Sequence, residues 1–439
     1  MAPSVIISAA YGTLGDVAPM LALAQALLVA GSEVTLITDA YFLSRCAALS
    51  ASGARIETMG TAAEYEQLLF DVGQRSKPQD TVQVWLSRLD THYALLEKLL
   101  DEALLRGEKP TFVAHTLDLA VRVLEEQRGV RACTVLLQPW MLRSTGSQPT
   151  QFDELGIPAW WPTGVKALAY RLADWAIDSA FAPKLNAFRL KLGLKNRVTR
   201  VYNTWYQCAG PLIGLWPEWL ATDVPAGDWP NRLRLCGFPL ATAEPTPLPD
   251  SLWDFICAAR DAKEPVVVVT LGTSPPPFAQ RFFAIAVAAC ACIGAKAVLI
   301  CGVDALLPPA PRPAHVFCCS FVPFDSMLRY ANVFLSSGGF GGVSQAMRAG
   351  VPQVVIPGKF DRTHNAHLVA RLSVGVRLPT HAVSQRRLAA ALKRAMSPAV
   401  GDACMMYAEK LTSGGADGAH VGAALIVSFA LGDGMAPQQ

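Results

Sequence analysis

Charge is scarce in this sequence. Of its 439 residues only 17% are Asp, Glu, Lys or Arg, against 52% hydrophobic. Soluble domains average roughly 25% charged residues, so this chain has ample material for a core and is not disordered in bulk. The net charge is +3 and no long basic run is present, which sets nucleic acid aside as a partner. No stretch of about 18 residues is free of charges and breakers, so no transmembrane helix is expected. The N-terminal Met1–Gly12 has no basic segment and runs straight into a strand–loop–helix pattern, so it does not read as a signal peptide.

Cysteine is not scarce, but its pattern is uninformative of a framework. The eleven cysteines include no CxxC pair. Cys46, Cys133, Cys290, Cys292, Cys318 and Cys319 lie in apolar segments, so buried free thiols of a reducing compartment are expected. Three cofactor signatures are missing. There is no GxGxxG dinucleotide fingerprint, no Lys-Ser/Thr of a P-loop, and no Asp-x-Asp pair for a metal-bound diphosphate. His364 and His367 stand three apart on an expected helix without a third ligand, so no metal and no resident cofactor are expected.

What is present alternates in a regular way. Ser4–Ala10 is a short apolar run, a glycine loop follows, then Pro19–Ala30 with helical spacing and Glu33–Thr38 as a second strand. Further strands are expected at Phe112–Ala114 and Cys133–Gln138, with helices over Val84–Leu104 and Leu117–Glu126. This is the grammar of a parallel sheet with crossover helices. Pro239, Pro245, Pro247 and Pro249 then fall within eleven residues, and such a segment reads as an extended linker.

After it the grammar restarts. Strands are expected at Pro265–Leu271, Ala297–Cys301, Val316–Cys319, Val333–Leu335 and Gln353–Ile356. Helices are expected at Arg281–Ile293, Asp325–Tyr330, Gly342–Ala349 and Thr363–Leu372. The expected fold class is therefore α/β, with two doubly wound domains facing across a cleft and ligands at the C-terminal strand ends. The expected boundaries are 1–239, a linker over 240–264, and 265–439, the last helix being free to pack back on the first domain.

Four motifs sit at expected strand ends. Gly12-Thr13-Leu14-Gly15-Asp16-Val17-Ala18-Pro19 joins the first strand to the first helix, and Asp16 is either a general base or a helix cap. Ser336-Ser337-Gly338-Gly339-Phe340-Gly341-Gly342 also lies between a strand and a helix, where backbone amides bind phosphate oxygens. Asp361 and Asn365, after the next strand, could bind sugar hydroxyls or cap the helix. Phe321, in Phe321-Val322-Pro323-Phe324, could stack on a base or pack in the core.

Together these motifs resemble the family 1 nucleotide-sugar glycosyltransferases of the GT-B fold. Gly350-Val351-Pro352-Gln353 and Asp361-Arg362-Thr363-His364-Asn365-Ala366 complete the family's order and spacing. Further stretches resemble the rhamnosyltransferase B subunits of rhamnolipid biosynthesis. These are Ala182-Pro183 through Asn186-Ala187, Lys191 to Gly193-Leu194, Asp228-Trp229-Pro230, Gly237-Phe238-Pro239-Leu240 and Gly341 through Ser344.

The resemblance implies an inverting transferase that moves a sugar from a nucleotide-sugar donor, dTDP-L-rhamnose in that subfamily. The acceptor hydroxyl would belong to a hydrophobic molecule such as a hydroxyalkanoyloxyalkanoic acid. It assigns Asp16 as the base. It assigns Thr13, Thr273, Ser336, Gly338, Gly339, Gly341, Gly342 and Val343 to the diphosphate, Phe321 and Val322 to the nucleotide base, and Asp361 to the donor sugar. Two positions depart from the pattern. Ser336 stands where the family has His, and Arg362 where it has Gln; the hypothesis is that the Arg362 cation partly replaces the missing His. UDP- or dTDP-sugar transfer to another aglycone, or a catalytically silent partner subunit, are the alternatives.

The first half also holds the expected acceptor residues. Trp85, His115, Gln138 and Trp140 fall at or near expected strand ends, and Trp161 opens an aromatic segment over Ile157–Phe188. His115 is the rival candidate base. The aromatic segment suits a lipid acceptor, core helices, or contact with a membrane surface. A cytoplasmic protein, peripheral on the inner membrane face or bound to a partner subunit, is the matching expectation.

Overall fold

The computed structural model describes residues 2–74, 83–146, 160–222, 224–225, 227–239, 246–273, 275–358, 360–413 and 417–432. The chain divides into two units. One takes Met1–Gln148, Ile157–Ala241 and Ala416–Gln439, the other Pro149–Gly156 and Thr242–Gly415.

The first unit is built on a seven-stranded sheet. Its strands are β1 (Ser4–Ala9), β2 (Glu33–Asp39), β3 (Arg55–Met59), β4 (Thr111–His115), β5 (Arg131–Leu136), β6 (Leu212–Gly214) and β7 (Leu233–Leu235). The order is β3-β2-β1-β4-β5-β6-β7, with every pair parallel. Helices α1 (Leu14–Val29), α2 (Ala47–Ala51), α3 (Ala62–Gln74), α4 (Leu89–Leu105), α5 (Leu119–Arg128) and α6 (Thr163–Lys191) surround it. A parallel sheet must be covered on both faces, and β1 shows how. Val5, Ile7 and Ala9 join one core with α1, while Ser8, on the opposite face, bonds His92 of α4.

The second unit has a six-stranded sheet. Helix α7 (Asp250–Asp261) leads into β8 (Val266–Thr270), α8 (Ala279–Cys292), β9 (Lys296–Ile300), β10 (Val316–Cys319), α9 (Phe324–Met327) and β11 (Val333–Ser336). Then come α10 (Phe340–Arg348), β12 (Gln353–Val355), α11 (Arg362–Arg371), β13 (Gly375–Arg377), α12 (Gln385–Ala395) and α13 (Pro398–Ser413). The order β10-β9-β8-β11-β12-β13 is again parallel throughout. Val267 and Val269 face a core shared with α8 and α12; Val266 and Val268 face one shared with α7 and Phe334.

Two expectations need correction. The linker expected over 240–264 is shorter, because Asp250–Asp261 is a helix that buries Leu252, Ile256 and Ala259. The apolar spacing decides that segment; prolines shape only what precedes it. The first helix starts at Leu14 rather than Pro19, with Pro19 inside it. Val17 already donates to Thr13 O at 3.1 Å, so Pro19, two residues further on, cannot supply its own i→i−4 donor, and the helix continues through it on its apolar packing.

The last helix, α14 (Gly418–Leu431), packs against α1 in the first unit. Ala419, Ala423 and Ile426 are buried in the β1 core, and a side chain at Gly422 would press on Leu23. By length and composition Pro398–Leu431 could cross a bilayer. It is nonetheless made of a 16-residue and a 14-residue helix, each short of the roughly 20 residues a crossing needs. All eleven cysteines are free, and Cys292 is the one exposed.

Because Ile426 is fully buried, Ile426→Ala should cost about 2–5 kcal/mol. Urea denaturation followed by tryptophan fluorescence would show a lower midpoint; an unchanged midpoint would mean that α14 is dispensable to the first unit.

Candidate functional site

In each unit the strand order reverses at one place, between β1 and β4 and between β8 and β11. At such a point the two neighbouring loops turn to opposite faces and leave a crevice at the strand ends. The Gly12 loop follows β1 and the Ser336 glycine loop follows β11 at these places, while the Phe321 and Asp361 loops follow the neighbouring strands β10 and β12.

In the first unit, Gly12 takes a positive φ of 93°, and the Asp16 side chain lies where a Cβ at that position would go. Asp16 Oδ2 accepts from the Thr13 amide at 2.7 Å and from the Thr13 hydroxyl at 3.1 Å. Thr13 is the N-cap of α1 and Asp16 closes a capping box. Cap and base are thus compatible roles: both bonds end on Oδ2, and Oδ1 keeps its lone pairs. The Tyr65 hydroxyl donates to Gly12 O at 2.7 Å. The Arg88 guanidinium, paired with Asp39, leans over the Tyr65 ring. Neither Tyr65 nor Arg88 could be found from local sequence, since each reaches this loop from more than fifty residues away.

The acceptor residues gather unevenly. Trp85 meets Tyr11 edge to face at 6.1 Å. Gln138 caps the turn Pro139–Met141, which contains Trp140, beyond β5. Trp161 stacks edge-on with Trp160 before α6 and is not part of the Tyr11 cluster. His115 corrects its expected role. It is buried, its Nδ1 accepts from the Leu117 amide at 3.3 Å, and its Nε2 lies 3.2 Å from Tyr11 O, to which it must therefore donate. With both nitrogens committed to backbone, it is neither a base nor an acceptor contact.

His92 is equally buried, between Ser8 Oγ at 3.1 Å and Asp118 Oδ1 at 3.4 Å. Burial pushes both histidines below the ordinary value of 6.5, against the upward pull of Asp118 on each and of Asp16 on His115.

In the second unit, Ser336 ends β11 and its hydroxyl accepts from the Gly338 amide at 3.2 Å. Ser337 donates to Leu271 O at 3.0 Å, tying this loop to the end of β8. Gly338 has φ 84° and Val355 crowds its Cβ position, so no other residue fits without strain. Gly339 is the N-cap of α10. The amides of Gly341 and Gly342 lie in the first turn, the usual anion-binding place. Val343 is a correction: its amide bonds Gly339 O at 3.0 Å and its side chain is buried, so it has no donor left for phosphate.

Thr273 is exposed beyond β8. Phe321 is 45% exposed just past β10, whereas Val322 is buried in the core at 2%. The base-stacking role suits Phe321, and the Val322 side chain is structural.

Arg362 is the most informative residue. Its side chain fills the space beside Gly358, and its Nη2 lies 4.0 Å from the Cβ position of Gly272. The guanidinium therefore stands between the loop after β12 and the loop after β8, next to Thr273. Asn365 braces the same corner, its Nδ2 donating to Gly338 O and to Asp361 Oδ2, each at 2.8 Å. Asn365 is thus a bolt between the glycine loop and the Asp361 loop, not a sugar contact. Among the described residues no His, Cys, Asp or Glu group is placed to hold a metal ion.

Comparison with known proteins follows this geometry. Residues 303–413 match the family described as erythromycin biosynthesis protein CIII-like, C-terminal domain. The chain is 31% identical to 4'-demethylrebeccamycin synthase of Lentzea aerocolonigenes over 182 residues, 42% of this chain but only 41% of that protein. It is 23% identical to UDP-glucosyltransferase B1 of Starmerella bombicola over 416 residues, 90% and 91% of the two chains. A crystal structure of the glycotransferase of kitacinnamycin superposes with a TM-score of 0.69 at 21% identity, covering 97% and 98%. The fold is GT-B, and in sequence the chain is similar to these glycosyltransferases. In GT-B terms the second unit is the C-terminal domain, where the family match lies.

The two buried histidines set a pH dependence. Folded His92 and His115 bind fewer protons than unfolded ones, so stability is full above about pH 6.5 and falls as pH drops below it, by up to about 1.4 kcal/mol per unit for each. Urea midpoints at pH 8 and pH 5 should differ in that sense, and the difference should shrink in His115→Gln; equal midpoints would refute neutral burial.

Proposed function

We propose that the protein is an inverting glycosyltransferase that moves a sugar from a nucleoside diphosphate to the hydroxyl of a hydrophobic acceptor. The observation that carries this reading is the second unit's corner at the reversal of strand order. The first turn of α10 opens from the loop after β11, Arg362 reaches to 4.0 Å from the Cβ position of Gly272 in the loop after β8, and Thr273 is exposed in that same loop.

The chemistry needs little more. Donor cleavage passes through an oxocarbenium-like state, in which negative charge grows on the departing diphosphate. Preset amides and a fixed guanidinium stabilise that charge without reorganising. The acceptor hydroxyl attacks the anomeric carbon, the bond to the diphosphate oxygen breaks, and Asp16 takes the hydroxyl proton. An alcohol is far less acidic than a carboxylic acid, so the proton moves late, as the C–O bond forms. The bonds to Oδ2 aim the carboxylate and leave Oδ1 for the proton.

Resemblance to the rhamnolipid subfamily makes dTDP-L-rhamnose the proposed donor and a hydroxyalkanoyloxyalkanoic acid the proposed acceptor. A second reading, a silent partner subunit, draws on Ser336, whose hydroxyl is folded into its own turn rather than replacing a histidine.

A thermal-shift panel of dTDP, UDP and ADP separates these. Ligands that bind the native state raise the melting temperature, and a shift with dTDP alone is expected. A shift with UDP alone would move the donor assignment; no shift would favour the silent subunit. Asp16→Asn keeps an acceptor for the Thr13 cap, so it should preserve the dTDP shift while lowering kcat by about 10²–10⁴. Unchanged turnover would remove Asp16 as the base. Arg362→Gln should weaken dTDP binding by about ten- to a hundredfold, the worth of a charge-assisted hydrogen bond.

A further inference from the structure

Helix α6 has an apolar face that the fold does not use. Its buried residues are Lys166, Asp174, Ala182, Leu185, Phe188 and Arg189. On the other side Val165, Leu168, Leu172 and Trp175 follow one another at three-, four- and three-residue steps, which is one stripe of a helix. They are 44%, 56%, 62% and 74% exposed, and Trp160, just before the helix, is 81% exposed.

The charges around this stripe are sorted by sign. From Trp160 to Arg200 the chain carries eight Lys and Arg against two Asp; of the eight, Lys166 and Arg189 are buried and Arg200 lies 3.8 Å from Asp174. Both carboxylates are engaged inward. Asp174 pairs with Arg143 at 2.6 Å and accepts from Asn203 at 2.9 Å; Asp178 accepts the amides of Arg200 and Val201. Arg171 flanks the stripe in solvent, and Lys195 and Arg197 are exposed beyond it; Lys191 is exposed too but lies 3.8 Å from Asp90. The outer surface is thus leucine, tryptophan and cation, with no carboxylate of α6 turned toward it.

We infer that this face of α6 docks on an anionic lipid bilayer, Trp160 and Trp175 sinking to the headgroup boundary while Arg171 and the following cations hold the lipid phosphates. Leucine and tryptophan supply buried apolar area, and the cations supply attraction to anionic lipid. A second copy of the chain fits less well: a symmetric pairing would set two cation-rich faces against each other. The inference rests on the surface alone and survives if the transferase reading fails.

Cosedimentation of the full chain with phosphatidylcholine vesicles, with and without 30 mol% phosphatidylglycerol, tests it. Binding to the anionic vesicles is expected, weakening as salt rises from about 0.1 to 0.5 M. Trp160→Ala/Trp175→Ala should reduce partitioning at least tenfold at an unchanged melting temperature, and Arg171→Glu should reduce it in low salt. No binding to anionic vesicles, or binding indifferent to these substitutions, would overturn the inference. So would a dimer in sedimentation equilibrium that the double variant dissolves, since the face would then be a self-association surface.

Discussion

A sheet with all strands parallel has no face to spare for water. Each strand must be followed by a crossover that returns over one face or the other, and the reversal of direction happens once per sheet. In this protein that constraint sets nearly everything else. It explains a chain that is 52% hydrophobic, since strands such as Val266–Thr270 are buried on both sides. It also gathers the loops after β1 and β4, and after β8 and β11, at the strand ends where direction reverses. At these two places the neighbouring crossovers return over opposite faces, which leaves a crevice at the strand ends.

At the second reversal the anion place is built from pieces that hold one another. Ser337 fastens the glycine loop to β8, and Asn365 fastens it to the Asp361 loop. Arg362 then reaches back across Gly358 toward Gly272. A histidine at the head of the glycine loop would place charge there from within the loop. In the proposed site the charge would come from Arg362 on the neighbouring loop, and the loop head is a small residue whose hydroxyl closes the turn. The guanidinium is permanently charged, so this arrangement would not lose its cation at neutral pH as an imidazole does.

Legibility from sequence followed the length of the signal. Val316–Cys319 was read to the residue and Val266–Thr270 within one at each end, because long apolar runs between Pro, Gly and charge admit few other readings. The strands Leu212–Gly214, Leu233–Leu235 and Gly375–Arg377 were missed, since three residues carry no periodicity and exist only because neighbours pair with them. The helix Asp250–Asp261 was hidden by the prolines before it. The contiguous motifs placed Asp16 and the glycines on the strand-to-helix loops where the structure has them. Their supports Tyr65 and Arg88 were not legible, because the partner of each lies well outside any local window; Asn365 was singled out, but not its bond to Gly338, 27 residues away. Val343 and His115 were misassigned for a related reason: their type and place fitted, but their hydrogen-bonding capacity was already spent on backbone.

Composition then leaves one residue of meaning. Most of the apolar excess is used up by two sheets, their helices and α14, while the outer face of α6 keeps a row of exposed apolar side chains one helical stripe wide. Folding alone would not sort charge there, because an exposed helix face gains nothing from keeping carboxylates out. An isolated helix would in fact be steadied by acid–base pairs on its surface. On α6 both acids instead turn inward to Arg143, Asn203 and the backbone after Thr199, and Arg171 is left facing solvent beside leucine and tryptophan. That sorting costs the isolated helix some stability and gains it nothing until something apolar and anionic is placed against it.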